Sequence, residues 1–213
     1  MIITEASKAK MFAILERYVP ANAVHYCYDV WIEHPFHFRV TKERNTKLGD
    51  YRYDPRTKEH GITINHNLNC YAFLLTYIHE VAHLLTREQH KKRVMPHGVE
   101  WKASFQKLML PILNDLVFPI DVLKPLQRYM RNPKASSQAD PRLLMAMRNY
   151  DEVKDGATSL EELKIGDFFV FHGMAFQKME SKRTRVLCAH VPSGQKYLIP
   201  RLALVESHEN KME

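Results

Sequence analysis

The stretch from Cys70 to Glu88, Cys-Tyr-Ala-Phe-Leu-Leu-Thr-Tyr-Ile-His-Glu-Val-Ala-His-Leu-Leu-Thr-Arg-Glu, is an apolar run interrupted by His79, Glu80 and His83. Phe73, Leu74, Leu75, Ile78, Val81, Ala82, Leu84 and Leu85 fill the rest of it, which predicts a buried helix. On a helix His79 and His83 stand at i and i+4. Both imidazoles therefore project from one face about one turn apart and can hold a single metal ion between them. Glu80 lies roughly 100° round from His79, close enough to accept a proton at such a site without being a ligand.

The spacing matches the His-Glu-x-x-His arrangement of zinc hydrolases, in which the glutamate is the general base. With 12 His and 15 Glu among 213 residues, the pattern arises by chance about 0.05 times per chain of this composition, so the letters alone are only moderately specific. The apolar setting adds to them, because two imidazoles and a carboxylate in such a helix cost free energy unless they bind something. Catalytic zinc usually takes three protein ligands and leaves one position for water. His97, in Pro-His-Gly-Val-Glu-Trp after a polar, basic loop from Arg87 to Arg93, is favoured as the third ligand. His90 is its competitor, and its polar, basic neighbours favour a solvated side chain. Trp101, Phe105, Leu108, Met109 and Ile112 then recur at helical spacing and predict a second helix packed on the first.

A chain of 213 residues accommodates one domain, or a main domain with a small appendage. It has 45% hydrophobic and 26% charged residues, as soluble globular proteins do. No apolar run reaches 18 residues and the first residues lack a secretory pattern, so the reading is a cytoplasmic protein with no membrane partner. Cys27, Cys70 and Cys188 are scattered and odd in number, forming neither a disulfide framework nor a Cys-x-x-Cys pair, which agrees with a reducing compartment. The net charge of +7 divides as +6 over residues 1–131, −2 over 132–163 and +3 over 164–213. Such a surplus permits nucleic-acid contact without requiring it.

Residues 5–18 form an amphipathic pattern ended by Pro20, which predicts a helix. Phe36, Phe38 and Val40, then Tyr51 and Tyr53, then Gly61 to Asn65, read as three short strands of a small sheet. Asn67 and Asn69 are N-cap candidates for the helix that follows. One or two helical turns are expected between Leu116 and Met130. The expected organisation is a catalytic domain over 1–131, a linker with a short helix over 132–162, a small basic antiparallel β module over 163–206 and a tail over 207–213. Lys178, Lys182, Arg183, Arg185, Lys196 and Arg201 are the module's candidate nucleic-acid-binding cluster, with Phe176 and Tyr197 as candidate stacking residues. A solvated β-surface is the equal alternative for these charges.

His79-Glu80-x-x-His83 followed by His97-Gly98-x-Glu100-Trp101 resembles the SprT-like zinc metallopeptidases, the family that includes the DNA–protein-crosslink protease Spartan. Arg44 to Tyr51 and Ile62 to Leu68 look like the strands that lead into that family's metal helix, and the resemblance covers roughly residues 5–130. It implies an α+β, zincin-like peptidase domain with one Zn²⁺ per chain on His79, His83 and His97, and Glu80 as catalyst. It also implies a protein substrate and, through Spartan, partners that are nucleic-acid-associated or crosslinked to DNA. The cysteine zinc ribbon that many relatives carry is missing, and the β module occupies its place. Two other readings stand beside the peptidase: a nucleic-acid-associated zinc-binding protein without peptidase activity, and a zinc hydrolase of a non-peptide substrate. Tyr51 and Tyr53 are candidates for oxyanion stabilisation, though ordinary core or surface roles are commoner for such residues.

Overall fold

Helix α1, Glu5–Tyr18, starts where Thr4 and Ser7 cap each other: the Ser7 backbone N–H donates to Thr4 Oγ1 and the Thr4 N–H to Ser7 Oγ. The computed structural model describes residues 3–44, 46–90, 94–136, 139–151, 157–171 and 173–207. Lys91, Lys92 and Arg93 of the basic loop, and residues 208–213 of the expected tail, lie outside them. The chain divides into two compact units, Met1–Asp151 and Glu152–Glu213.

In the first unit a 3₁₀ turn, Ala21–Ala23, leads from α1 into α2, Val24–Glu33. Helix α2 is absent from the sequence-based expectation because Val, His, Tyr, Cys and Trp are weak helix formers. Tertiary burial decides it: Val24, Cys27, Val30 and Trp31 fall on one buried face. Strands β1 (His37–Thr41), β2 (Gly49–Asp54) and β3 (Glu59–Asn65) follow as expected. Their order is β1-β3-β2, with β1 parallel and β2 antiparallel to β3. Ile62 and Ile64 of β3 are fully buried, while Phe38 of β1 meets Phe73 and Tyr77 edge-on at 6.3 and 5.7 Å.

Phe73 and Tyr77 belong to α3, Cys70–Gln89, the expected long helix. Asn69 is its N-cap, accepting from the Tyr71 and Ala72 backbone N–H groups. Twelve of its 20 residues are buried, around most of its circumference, so it runs through the core. Helix α4, Val99–Met109, packs on it through Trp101, Ser104 and Phe105, with the Thr86 hydroxyl donating to Ser104 Oγ at 3.2 Å. A 3₁₀ turn at Leu110–Ile112 and α5, Ile120–Met130, follow.

The expected boundary near residue 131 is corrected by α6, Pro141–Arg148. The short helix was anticipated, but it belongs to the first unit: Leu143 and Met147 are buried in its core, and Asn69 donates to the Met147 carbonyl at 2.9 Å. The Asn69 side chain thus caps α3 with its oxygen and holds α6 with its nitrogen. Residues 132–151 are consequently part of the fold.

The second unit is a six-stranded antiparallel sheet that begins before residue 163. Its strands are β4 (Ala157–Ser159), β5 (Phe168–Phe171), β6 (Met174–Ser181), β7 (Arg185–His190), β8 (Lys196–Pro200) and β9 (Leu204–Ser207), in the order β4-β9-β5-β6-β7-β8. Gly173 and Gly194, at φ +75° and +68°, make the β5–β6 and β7–β8 turns that other residues enter only with strain. Phe169, Phe176, Val186, Cys188 and Val205 form its core.

Lys178 points into that core, and its ammonium donates to the carbonyls of Leu160, Glu161 and Leu163 at 2.8, 3.2 and 2.6 Å. It ties the segment after β4 to β6. Lys178→Met should cost about 2–3 kcal/mol, because it strands buried carbonyls. Lys182→Met, at an exposed turn, should stay within about 0.5 kcal/mol. Hydrogen exchange read peptide by peptide should show the loss of protection confined to residues 157–207.

Candidate metal centre

Two elements build the site. Helix α3 supplies His79 and His83, one turn apart on the face toward α4, and the turn ahead of α4 supplies His97. That turn is closed by the Gly98 N–H donating to the Met95 carbonyl at 2.9 Å, with Pro96 and His97 at its centre. Proline second and a positive φ third is the type II pattern. His97 has φ +58°, one of two such non-glycine residues among those described. A side chain in that region stores on the order of 1–3 kcal/mol, a cost met where the surroundings dictate where the residue must point.

The three Nε2 atoms converge. His79 to His83 is 3.2 Å, His79 to His97 is 3.1 Å and His83 to His97 is 3.0 Å. A proton between one pair satisfies that pair alone, whereas a cation satisfies all three nitrogens. Nitrogens at these separations lie about 1.8 Å from their common centre, so an ion roughly 1 Å off their plane meets each at the 2.0–2.1 Å of a zinc–imidazole bond. No other group of three or more His, Cys, Asp or Glu among the described residues could hold a metal. His90, the competitor, is an exposed C-cap of α3 and lies outside the cluster.

Trp101 walls the site. It is fully buried, with ring centroids 4.6, 5.4 and 4.7 Å from those of His79, His83 and His97, and its indole N–H donates to the His79 carbonyl. Phe105 stacks behind it at 4.9 Å. Burial drives the His79 imidazole down to about 3, with His83 and His97 adding to the effect, and drives His83 down to about 4, with His97 adding. Burial lowers His97 as well. All three are thus held neutral, the state a metal ligand needs.

Glu80 is outside the triad of nitrogens, buried against β2. Burial, and secondarily the charge of Asp50, pushes its carboxyl up to about 8, while the nearby Tyr51 backbone N–H, together with Arg44 and Lys47, works in the opposite direction. Asp50 is itself held below the usual carboxylate range: burial would raise it, but hydrogen bonds from Lys47 and Arg52, both at 2.7 Å, outweigh that.

Gly49 makes this arrangement possible. A Cβ there would lie 2.6 Å from Glu80 Oε1 and 2.7 Å from Thr76 Cγ2, so only glycine lets β2 approach the helix this closely. Tyr51, two residues on, faces the same helix; its ring lies parallel to that of His83, with centroids 6.2 Å apart and 10° between planes. Sequence reasoning missed Gly49 and Trp101 as site residues. Alternation along β2 puts Gly49 on the face that carries Tyr51, and Trp101 heads the helix after His97, but neither signal says how near the metal helix lies.

The proposed basic cluster of the second unit is not one patch. Lys178 is buried, as its place two residues after buried Phe176 in one strand dictates. The Arg201 guanidinium pairs with Glu161, and Arg185 donates to the Leu198 carbonyl. Lys182, Arg183 and Arg185 sit at the β6–β7 hairpin, whereas Lys196 begins β8 at the other end of that ladder. Phe176 is 1% exposed and cannot stack on a base, while Tyr197 is 38% exposed. Counted over Glu152–Glu213 the unit holds nine basic and nine acidic residues, so the whole +7 resides in the first unit.

Comparison of the chain with protein-family models, curated proteins and solved structures finds no match.

His79→Ala, His83→Ala and His97→Ala should each lower bound zinc well below one equivalent by elemental analysis, and His90→Ala should leave it unchanged. Acid should destabilise the metal-free protein. Imidazoles held below the 6.5 of a free histidine bind fewer protons folded than unfolded, so their contribution is full above pH 6.5 and is lost as pH falls toward 4 and then 3. Glu80, raised above 4.5, acts in the opposite sense between pH 4.5 and 8. The melting temperature of chelated protein should therefore fall between pH 6.5 and 4, and fall less in a His79→Gln/His83→Gln variant.

Proposed function

We propose that the protein is a zinc-dependent endopeptidase of the SprT-like kind, with a zincin-like catalytic unit in residues 1–151 and an accessory β unit. The observation that carries this reading is Glu80: a buried carboxylate next to three converging imidazole nitrogens, outside the ligand set and packed against Gly49 of β2. A purely structural zinc site closes its fourth position with Cys or His and has no use for such a carboxylate.

Zinc held by His79, His83 and His97 would supply Lewis acidity, lowering the pKa of a water toward ~7 and polarising a carbonyl. Glu80 takes the proton of the attacking water and delivers it to the leaving amine nitrogen, acting first as base and then as acid. Burial raises the proton affinity of Glu80 so far that the carboxyl by itself is largely protonated at neutral pH, and the charge of a cation on the three imidazoles would hold it ionised to receive the proton; Gly49 leaves the space it occupies. Trp101 and Phe105 exclude water from the back of the site.

A peptide substrate accords with the surroundings. Strand β2 is an edge strand of its sheet, and an extended chain can add to such an edge by backbone hydrogen bonds. Met95 and Val99, 75% and 76% exposed, flank His97 and offer apolar contacts to substrate side chains. Nucleic-acid-associated proteins are the substrate class that the resemblance implies, and Lys182, Arg183 and Arg185 are the residues left to contact a nucleic acid. No helix among the described residues is long and apolar enough to cross a membrane.

Glu80→Gln should keep about one equivalent of zinc and lose hydrolysis of an unfolded protein such as casein by several orders of magnitude. Full activity in that variant, or no cleavage by zinc-loaded wild type of any protein with or without single-stranded DNA, would overturn the proposal. Gly49→Ala should also retain zinc, yet lower kcat about 10²-fold by displacing Glu80 on the order of 1 Å.

A further inference from the structure

Tyr51 makes three contacts that belong to different parts of the site. Its backbone N–H lies near the Glu80 carboxylate and favours its ionised form. Its ring lies parallel to that of His83, a proposed ligand. Its hydroxyl shares a hydrogen bond of 2.9 Å with His60 Nδ1, and the His60 ring stacks on it at 5.8 Å and 21°. The backbone explains how one residue reaches all three: Tyr51 pairs with the buried Ile62 of β3 and faces α3, and His60 lies two residues before Ile62 on that strand. Tyr53, paired with His60, closes the far side at 5.1 Å and is itself covered by the Arg87 guanidinium at 4.1 Å.

We propose that Tyr51 is a positioning residue that registers the general base and a metal ligand to one strand, and that His60 locks it in place. The physical need is rotational. An imidazole one bond from its Cβ turns freely unless its faces are packed, and a ligand lone pair displaced from the metal direction weakens the bond. Besides the imidazoles of His79 and His97, the rings of Trp101 and Tyr51 lie beside His83, at 5.4 and 6.2 Å, and they come from different elements. The Tyr51 ring can serve as a wall only if it stays in place; the His60 bond at its hydroxyl restrains the side chain from swinging away, and the His60 ring packed beside it limits rotation about its own axis. His60 therefore acts through Tyr51, and Tyr51 acts through His83 and Glu80. Because the N–H near Glu80 and the ring beside His83 belong to the same residue, a shift of β2 along α3 would disturb base and ligand together.

This inference rests on the hydrolytic reading of the site, but its test does not. Zinc affinity by chelator competition and the visible absorption of the cobalt-substituted protein both report ligand geometry whether or not a peptide is cleaved. Tyr51→Ala should weaken zinc binding 10- to 100-fold and shift the cobalt bands, while Tyr26→Phe, which loses a core hydrogen bond to the Leu108 carbonyl, should leave them in place. Tyr51→Phe should produce a smaller shift, His60→Ala, which loses a packed ring as well as the bond, a shift at least as large as that of Tyr51→Phe, and the double variant no more than His60→Ala alone, because both remove the same bond. Wild-type affinity and spectrum in Tyr51→Ala would overturn the proposal, and additive effects would overturn the role of His60. Should Tyr51→Ala not fold, unchanged cobalt spectra in Tyr51→Phe and His60→Ala would overturn it. Absence of hydrolysis in the zinc-loaded wild type would instead strike the peptidase reading alone.

Discussion

Three neutral imidazole nitrogens within 3.2 Å of one another are an unfavourable arrangement on their own, and the first unit is built to impose it. Each surrenders hydration, and their lone pairs cannot all be satisfied among themselves. The opposing free energy comes from the apolar residues around most of α3. At about 1.5–3 kcal/mol for each large side chain fully buried, Phe73, Leu74, Ile78, Val81 and Leu84 outweigh what a few polar groups cost. Trp101 sits between these two sets of forces, core residue on one side and wall of the histidine cluster on the other. The left-handed backbone of His97 belongs to the same balance, since packing of α4 on α3 determines where that side chain must point.

Glu80 depends on a second element. In the sheet order β1-β3-β2, the edge strand β2 is the one that meets the carboxylate, and it does so closely through a glycine. Among the described residues no cation contacts the carboxylate directly, and Lys47 and Arg52 are drawn instead onto Asp50. A carboxylate so placed has a high proton affinity, whereas one paired with a guanidinium would be held ionised and weakly basic.

The second unit illustrates how composition misleads about a surface. Six cations in one small module suggest a binding face, yet one is buried as a tie between the segment after β4 and β6, another is paired with a carboxylate, and the unit as the fold delimits it carries no net charge. Sheet geometry, with its two-residue alternation, assigns these side chains to different faces and ends.

Local signals determined a good deal. The i, i+4 spacing of His79 and His83 made the metal helix legible, the N-cap asparagine and the three strands were readable from pattern, and His97 stood out from His90 by its neighbours. What the sequence left open was settled by contacts between residues far apart in the chain. Helix α2 exists because its buried face meets the core, against the propensities of its residues. Residues 132–151 belong to the first unit because Leu143 and Met147 have a core to enter and Asn69 a carbonyl to hold. Gly49, Tyr51 and His60 join the site only because β2 lies close against α3. Spacing along one helix is encoded within a few residues; the distance between a strand and a helix is the outcome of packing the whole unit, and no local pattern records it.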